Sequence, residues 1–161
     1  MKHNKIYQRA IAKSLQDLSE SIGQIKLLSE YPPKWSEPKP MFEKTGKVYK
    51  NGIPSGTIGV YKIIHINHYK KIMYIGVGNN ITGRISRHRN VFLNGGKDIE
   101  NPGGTTNPSP AAQNMYKYDT NKDKWYFSWC AIANRKLSGV YETLLMNEYN
   151  PKFNDKSLGG I

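Results

Sequence analysis

One stretch, residues 59–88, constrains the fold of this chain more than any other. It contains two runs of β-favouring residues, separated by a polar and basic turn from Asn67 to Lys71. A Gly-Asn-Asn segment ending at Asn80 follows the second run, and asparagine is a preferred N-cap of helices. Apolar residues then recur at helical spacing: Ile81, Ile85 and Phe92. The pattern predicts a β-hairpin followed directly by an amphipathic helix.

Four side chains of this stretch are suited to phosphodiester chemistry. Tyr61 and Tyr74 lie on the two predicted strands. Arg84 and His88 are one helical turn apart and project from the same face of the predicted helix. Each residue has a simpler structural interpretation, since tyrosines pack across hairpins and arginines are common on exposed helix faces. Their convergence favours a site that binds a phosphodiester.

The tripeptides GVY at 59–61 and YIG at 74–76 resemble the paired signature of the GIY-YIG nuclease superfamily. Arg84, ten residues after Tyr74, and His88, four residues later, stand where that family places its helix arginine and a histidine or tyrosine. Val60 replaces the isoleucine of the first tripeptide, and both residues are β-branched and apolar.

The resemblance extends to the end of the sequence. Glu142 is similar to the metal-binding glutamate of the family, and Asn154 to the asparagine that closes its motif. The matches cover about Thr57 to Asn154. Several separate matches in the family's order are more specific than one tripeptide pair.

The resemblance implies an endonuclease that cleaves double-stranded DNA with one Mg²⁺ or Mn²⁺ ion per active site. Glu142 would bind that ion, and Arg84 would clamp a non-bridging phosphate oxygen. Tyr61 would position or deprotonate the attacking water. Tyr74 would hydrogen-bond within the site or to phosphate, and Asn154 would orient the active-site groups.

Tyr61 needs a cationic neighbour if it is to act as a base. A phenol with a pKa of about 10 is protonated at neutral pH, and a nearby positive charge lowers that pKa. Lys71, across the hairpin, is the candidate for this role, and His88 is the alternative.

The order of predicted elements indicates an α/β (α+β) domain: a three-stranded, mainly antiparallel sheet flanked by helices. A helix from Asn4 to Glu30 and a proline-rich connector precede it, so we expect residues 1–44 as an extension and residues 45–161 as the nuclease domain. Residues 94–110, rich in Gly, Asn, Thr and Pro, form an inserted loop. The amphipathic N-terminal helix is expected first to pack on the core, and the alternatives are that it pairs with a second copy of the chain in a homodimer or lies along DNA.

The charge of the chain favours a polyanionic partner, DNA above all. Lysine and arginine number 24 against 12 acidic residues, a formal net charge of +12. A role in solubility alone is the other interpretation. Arg87 is expected on a different face of the helix from Arg84, contacting at most the DNA backbone. The further DNA contacts we expect are basic residues near the core: Lys44, Lys47, Lys50 and Arg89.

Other classes of function are excluded or disfavoured. The single cysteine, Cys130, excludes an intramolecular disulfide and a cysteine-based zinc site. No apolar run approaches the ~20 residues that cross a bilayer, and the first residues lack the apolar run of a secretion signal. The sequence therefore predicts a cytoplasmic protein with no membrane partner.

The layout resembles the compact type II restriction enzymes of the superfamily, because the chain ends seven residues after Asn154 with no appended domain. Homing, repair and junction-resolving endonucleases are the alternatives, together with a catalytically inactive DNA-binding module.

Overall fold

A computed structural model describes residues 2–43, 51–97 and 110–154 of the chain. The chain forms two compact units, Met1–Pro33 and Lys34–Ile161. This division falls earlier than the predicted boundary at residue 44. The reason is that Lys39–Pro40 pairs with the sheet and Met41 is fully buried in the core of the second unit.

The first unit contains one helix, α1, at Lys2–Glu30, close to the predicted span. The Tyr31 N–H donates to the Leu27 carbonyl, and Pro32 cannot continue the helix. Apolar residues are separated alternately by four and three positions, a spacing that places them along one stripe of the helix: Ile11, Leu15, Leu18, Ile22 and Ile25. Within the described ranges, no helix is long and apolar enough to cross a membrane.

The second unit is built on a four-stranded antiparallel sheet, and its α+β class is confirmed. The strands are β1 (Lys39–Pro40), β2 (Gly59–Ile66), β3 (Lys70–Gly78) and β4 (Trp125–Ala131), in the order β1-β4-β2-β3. The prediction of three strands was wrong, because the proline-rich connector adds β1 at one edge. An edge position tolerates Pro40, which lacks a backbone donor.

Three helices of the second unit flank this sheet: α2 (Ile81–Leu93), α3 (Pro110–Tyr118) and α4 (Arg135–Tyr149). Short 3₁₀ turns occupy Lys122–Lys124 and Lys152–Asn154. The predicted Asn80 cap is confirmed: its side-chain oxygen accepts from the Gly83 N–H at 3.2 Å. Asn134 caps α4 in the same way, accepting from Leu137 N–H at 2.8 Å.

Both faces of β2 are buried, and each contributes to a different core. Tyr61 and Ile63 pack with α2 and α3, whereas Val60 packs with α4. A β-bulge in β3 opposite Ile63 breaks the usual alternation, so that Met73 and Tyr74 both pack on the α2 side. This irregularity brings Tyr74 to the same side of the sheet as Tyr61.

Candidate active site

Three aromatic side chains meet between the β2–β3 hairpin and α2. The Tyr61 hydroxyl lies 2.8 Å from His88 Nε2. The ring centroids of Tyr61 and Tyr74 are 6.0 Å apart, and the His88 ring lies 5.6 Å from the first and 5.8 Å from the second. Three of the residues predicted to converge therefore form one packed cluster.

Glycine is required beside this cluster for steric reasons. Gly76 pairs with Tyr61 across the hairpin. A Cβ atom at Gly76 would lie 2.6 Å from the Tyr61 hydroxyl oxygen and 2.7 Å from the Tyr74 ring. Any side chain here would push the tyrosines apart, so the last glycine of the YIG tripeptide holds open the space they share.

Burial determines the protonation of the cluster. Desolvation and the nearby Tyr74 raise the pKa of Tyr61 well above its usual value, and Arg84 is the cation that opposes this increase. Burial lowers the pKa of His88 to about 3, assisted by the positive charges of Arg84 and Arg87. At neutral pH a neutral phenol therefore contacts a neutral imidazole. In the tautomer with the proton on Nδ1, Tyr61 donates to His88 Nε2.

The lowered pKa of His88 predicts a loss of stability in acid. Between the ordinary value of 6.5 and about 3, the unfolded chain binds a proton at this histidine and the folded chain does not. Stability is therefore complete above pH 6.5 and falls with decreasing pH, by roughly 1.4 kcal/mol per unit. Urea unfolding of wild type and His88→Asn at pH 7 and pH 5 tests this. The free energy of unfolding of the variant should decrease less with falling pH than that of wild type, by the amount that corresponds to binding of about one proton.

His68 provides the control for this experiment, because it is exposed in the hairpin turn. His68→Asn should retain the wild-type dependence on pH. Equal dependence in wild type and His88→Asn would show that His88 is not held neutral by the fold.

Arg84 and Arg87 lie on α2 at the border of one cavity of about 400 Å³. The expectation that they occupy different faces of the helix was wrong, because residues three apart are neighbours on a helix surface. Arg84 also interacts electrostatically with both tyrosines, because its charge opposes the increase in the pKa of Tyr61 and of Tyr74. Arg84 therefore lies within electrostatic range of the aromatic cluster.

Glu142 approaches the cluster from α4. Its partly buried carboxylate contributes to the raised pKa of Tyr74, and burial raises the pKa of Glu142 itself while Arg135 opposes that increase. Among the described residues, no group of three or more His, Cys, Asp or Glu side chains could hold a metal. A single carboxylate completed by water fits Mg²⁺, which keeps several waters in protein sites. It does not fit a metal that requires a cage of protein ligands.

Asn154 holds the strand that carries Tyr74. Its Oδ1 accepts from the Ile75 N–H at 2.8 Å, and its Nδ2 donates to the Ile75 carbonyl at 2.7 Å. These backbone groups face away from β2 on a strand that lies at the edge of the described sheet, where none of the described strands pairs with them. Because Ile75 lies between Tyr74 and Gly76, this clamp fixes the backbone on both sides of it.

We predict that Asn154→Ala lowers both the stability of the protein and its rate of DNA cleavage. Two backbone groups lose their partner, which should lower the free energy of unfolding by ~1–3 kcal/mol in urea titrations. Cleavage of DNA should slow by about tenfold under conditions where the variant is folded. Asn147→Ala, at an exposed position of α4, should change neither quantity. Unchanged stability in the Asn154 variant would contradict the clamp.

Several predicted site residues are not brought to the cluster. Lys71 pairs with His65, whereas Tyr61 pairs with Gly76 further along the hairpin, so Lys71 is not the cationic neighbour of Tyr61. Arg89 Nε donates to the Met41 carbonyl at 2.8 Å, which ties α2 to the segment after β1. Other expected DNA contacts, Lys44, Lys47 and Lys50, lie outside the described residues, as does most of the loop predicted at 94–110.

One residue at the site was missed by the sequence reasoning. Arg135 is the first residue of α4, borders the same cavity as Arg84 and Arg87, and influences the carboxylate of Glu142. A signal was present, since a basic residue at a helix N-terminus is electrostatically unfavourable and calls for an explanation.

Comparisons with known proteins give a distant likeness in structure. No protein-family model and no curated protein matches the chain. Among solved structures, the chain is similar to a tyrosine-to-phenylalanine mutant of the GIY-YIG N-terminal endonuclease domain of UvrC from Thermotoga maritima, bound to its catalytic divalent cation. The identity is 19%, the match covers 63% of this chain and 87% of that chain, and the TM-score is 0.38. For an asparagine-to-alanine mutant of the same domain these values are 18%, 62%, 83% and 0.37.

Proposed function

We propose that this protein is a metal-dependent endonuclease that hydrolyses phosphodiester bonds of double-stranded DNA. The observation that carries the proposal is the packed cluster of Tyr61, Tyr74 and His88, with Arg84 and Glu142 within electrostatic reach of its tyrosines. These are the groups that phosphodiester hydrolysis needs: a proton acceptor for water, a cation for the phosphoryl oxygens and a carboxylate ligand for a divalent ion.

Tyr61 and His88 would act together on the attacking water. Tyr61 alone is a poor base, because its raised pKa keeps the hydroxyl protonated. The hydroxyl oxygen accepts the water proton while the hydroxyl proton moves to His88 Nε2, 2.8 Å away. Burial is the main cause of the low His88 pKa, and the charge of Arg84 adds to it. An anionic phosphate bound near Arg84 would offset this second contribution, so that His88 becomes a better acceptor when substrate is present.

Arg84 would bind the scissile phosphate through two parallel N–H donors, which stabilises the charge that develops on its oxygens. Glu142 would hold a Mg²⁺ or Mn²⁺ ion, which when bound supplies charge neutralisation at the phosphate and the leaving oxygen. Tyr74, protonated and partly buried beside Tyr61, would donate a hydrogen bond to phosphate.

Arg84→Lys tests the geometry of this clamp. Lysine keeps the charge but loses the planar pair of donors, so we expect normal folding and cleavage at least tenfold slower, a loss of ~1.4 kcal/mol in transition-state stabilisation. Single-turnover cleavage rates measure this effect. Arg89→Lys, on the same helix, should reduce stability through loss of the bond to Met41 and leave the rate nearly unchanged. The reverse order of sensitivity would contradict the assignment.

We further propose that cleavage is sequence-specific, as in the type II restriction enzymes. Support comes from three segments that resemble that branch. MYKY lies at the end of α3, WYFSW lies in β4, and NPKFN ends at the Asn154 clamp. Digestion of a long DNA of known sequence in Mg²⁺, followed by sequencing of the fragment ends, tests both levels of the proposal.

The fragment ends separate the alternatives. Ends that share one short sequence support a restriction-type enzyme. Random or structure-dependent ends support a repair or junction type instead, and binding without any cleavage supports an inactive DNA-binding module. The outcome in which no DNA is bound or cut would refute the proposal.

We propose that the protein forms a homodimer through its first unit. The alternating four- and three-residue spacing from Ile11 to Ile25 in α1 is the spacing of helices that pair along a seam. Sedimentation equilibrium of the full chain and of a chain beginning at Lys34 tests this proposal. A monomer in both cases would refute it.

A further inference from the structure

The cavity bordered by Arg84 and Arg87 contains more positive charge than the proposed catalytic mechanism uses. A third arginine, Arg135, also borders it, and no acidic residue does among the residues that the structure describes. The rest of its wall comes from the turn between β3 and α2, at Gly78 to Asn80, and from Gly83. Three permanent positive charges around about 400 Å³ form a space suited to an anion, and the volume exceeds what a single phosphate group needs.

The glycines in this wall keep the space open. A Cβ atom at Gly78 would lie 3.2 Å from Cγ of Arg84, and one at Gly83 would lie 3.2 Å from the Asn80 side chain that caps α2. Both distances are tighter than ordinary contact. A larger residue at Gly78 would displace the Arg84 side chain, and one at Gly83 would displace the Asn80 side chain.

The two helices that border the cavity begin with an unfavourable distribution of charge. Arg84 lies in the first turn of α2 and Arg135 opens α4, and neither first turn contains an acidic residue. Cations at a helix N-terminus interact unfavourably with the helix dipole, whereas an anion bound there interacts favourably with it. An anion in the cavity would therefore stabilise the start of both helices.

The arginines differ in what else they influence. Arg84 acts on Tyr61 and Tyr74, which places it at the proposed reaction centre. Arg135, which opens α4, interacts electrostatically with the Glu142 carboxylate instead. Arg87, one turn along α2 from Arg84, faces the same space.

We infer that Arg87 and Arg135 together bind a second backbone phosphate, adjacent to the one that Arg84 holds for cleavage. This phosphate subsite rests on the proposed function for its ligand, a nucleic-acid strand. Its role is to fix the direction in which the strand crosses the site, because two phosphates bound at separate points define an orientation that a single phosphate does not.

Binding of DNA in EDTA tests the subsite separately from catalysis. The probe is a fluorescein-labelled 30-base-pair duplex, and its dissociation constant is measured by anisotropy over a range of NaCl concentrations. Loss of one phosphate contact should reduce the slope of log K against log salt by about 0.9. We expect this reduction for Arg135→Gln, with binding about tenfold weaker at 0.1 M NaCl. Arg135→Lys should recover most of the slope.

Two comparisons make the result specific. Lys136→Gln removes the same charge from the next exposed residue, which does not border the cavity, and should change affinity by less than about twofold. Arg87→Gln combined with Arg135→Gln should weaken binding by less than the product of the two single effects, since both hold one phosphate.

The subsite is refuted if Arg135→Gln and Lys136→Gln have equal effects, if the two arginines act independently, or if wild type does not bind the duplex. Failure of the nuclease proposal would look different. In that case the binding results would stand as expected, while no DNA would be cut in Mg²⁺.

Discussion

Replacing Glu142 with glutamine should abolish DNA cleavage, reducing the single-turnover rate by at least about a thousandfold, or ~4 kcal/mol. The variant loses the carboxylate that influences Tyr61 and Tyr74 and that would hold the divalent ion in the proposed mechanism. It keeps the arginines that we propose to contact phosphate. Binding of duplex DNA in EDTA should therefore stay within a few-fold of wild type.

Glu148 provides a matched control on the same helix, because it is exposed near the end of α4. Glu148→Gln should cleave DNA at close to the wild-type rate. If Glu142→Gln still cut DNA rapidly in Mg²⁺, or if both variants lost activity equally, the metal assignment would be wrong.

The second large effect is expected at Tyr61. Tyr61→Phe removes the hydroxyl that contacts His88 and leaves the buried ring in place. We expect cleavage to slow by about a hundredfold or more, the scale of general acid–base assistance, in a variant that remains folded but is less stable through loss of this hydrogen bond.

Tyr126→Phe tests whether such a loss is particular to the site. Tyr126 is also an aromatic residue on a strand, β4, but it pairs with Ile64 and Pro40, away from His88. Its variant should retain nearly full activity. Equal losses at Tyr61 and Tyr126 would mean that the tyrosines contribute packing alone.

Local sequence patterns predicted the elements that form from nearby residues. The hairpin, the Asn80 cap and the last helix from Arg135 to Tyr149 all follow from alternation, capping and helical spacing over short windows. The motifs that resemble the GIY-YIG signature also singled out Tyr61, Tyr74 and His88, whose elements meet in the structure.

Features that depend on pairing between distant segments were not predictable in this way. β1 is two residues long and exists because β4 offers it a free edge. The bulge opposite Ile63 shifts the register of the hairpin, so that Tyr74 pairs with Ile63 and lies on the same side of the sheet as Tyr61. A sequence pattern contains no information on such a shift.

The cavity bordered by the three arginines also depends on contacts between distant segments, which sequence patterns do not predict. Arg87 and Arg135 are far apart in the sequence and become neighbours only because α2 and α4 both begin at the same end of the site. Spacing along one helix could have placed Arg87 beside Arg84. No spacing rule links either of them to Arg135.

Conversion of supercoiled plasmid DNA by the purified full chain tests the central claim most directly. Reactions with Mg²⁺ and with EDTA, each with wild type and Glu142→Gln, separate cleavage by this site from a contaminating nuclease. We predict nicked or linear plasmid for wild type in Mg²⁺ only, and intact supercoiled plasmid in the other three reactions. Intact plasmid with wild type in Mg²⁺, or equal conversion by both proteins, would contradict the account.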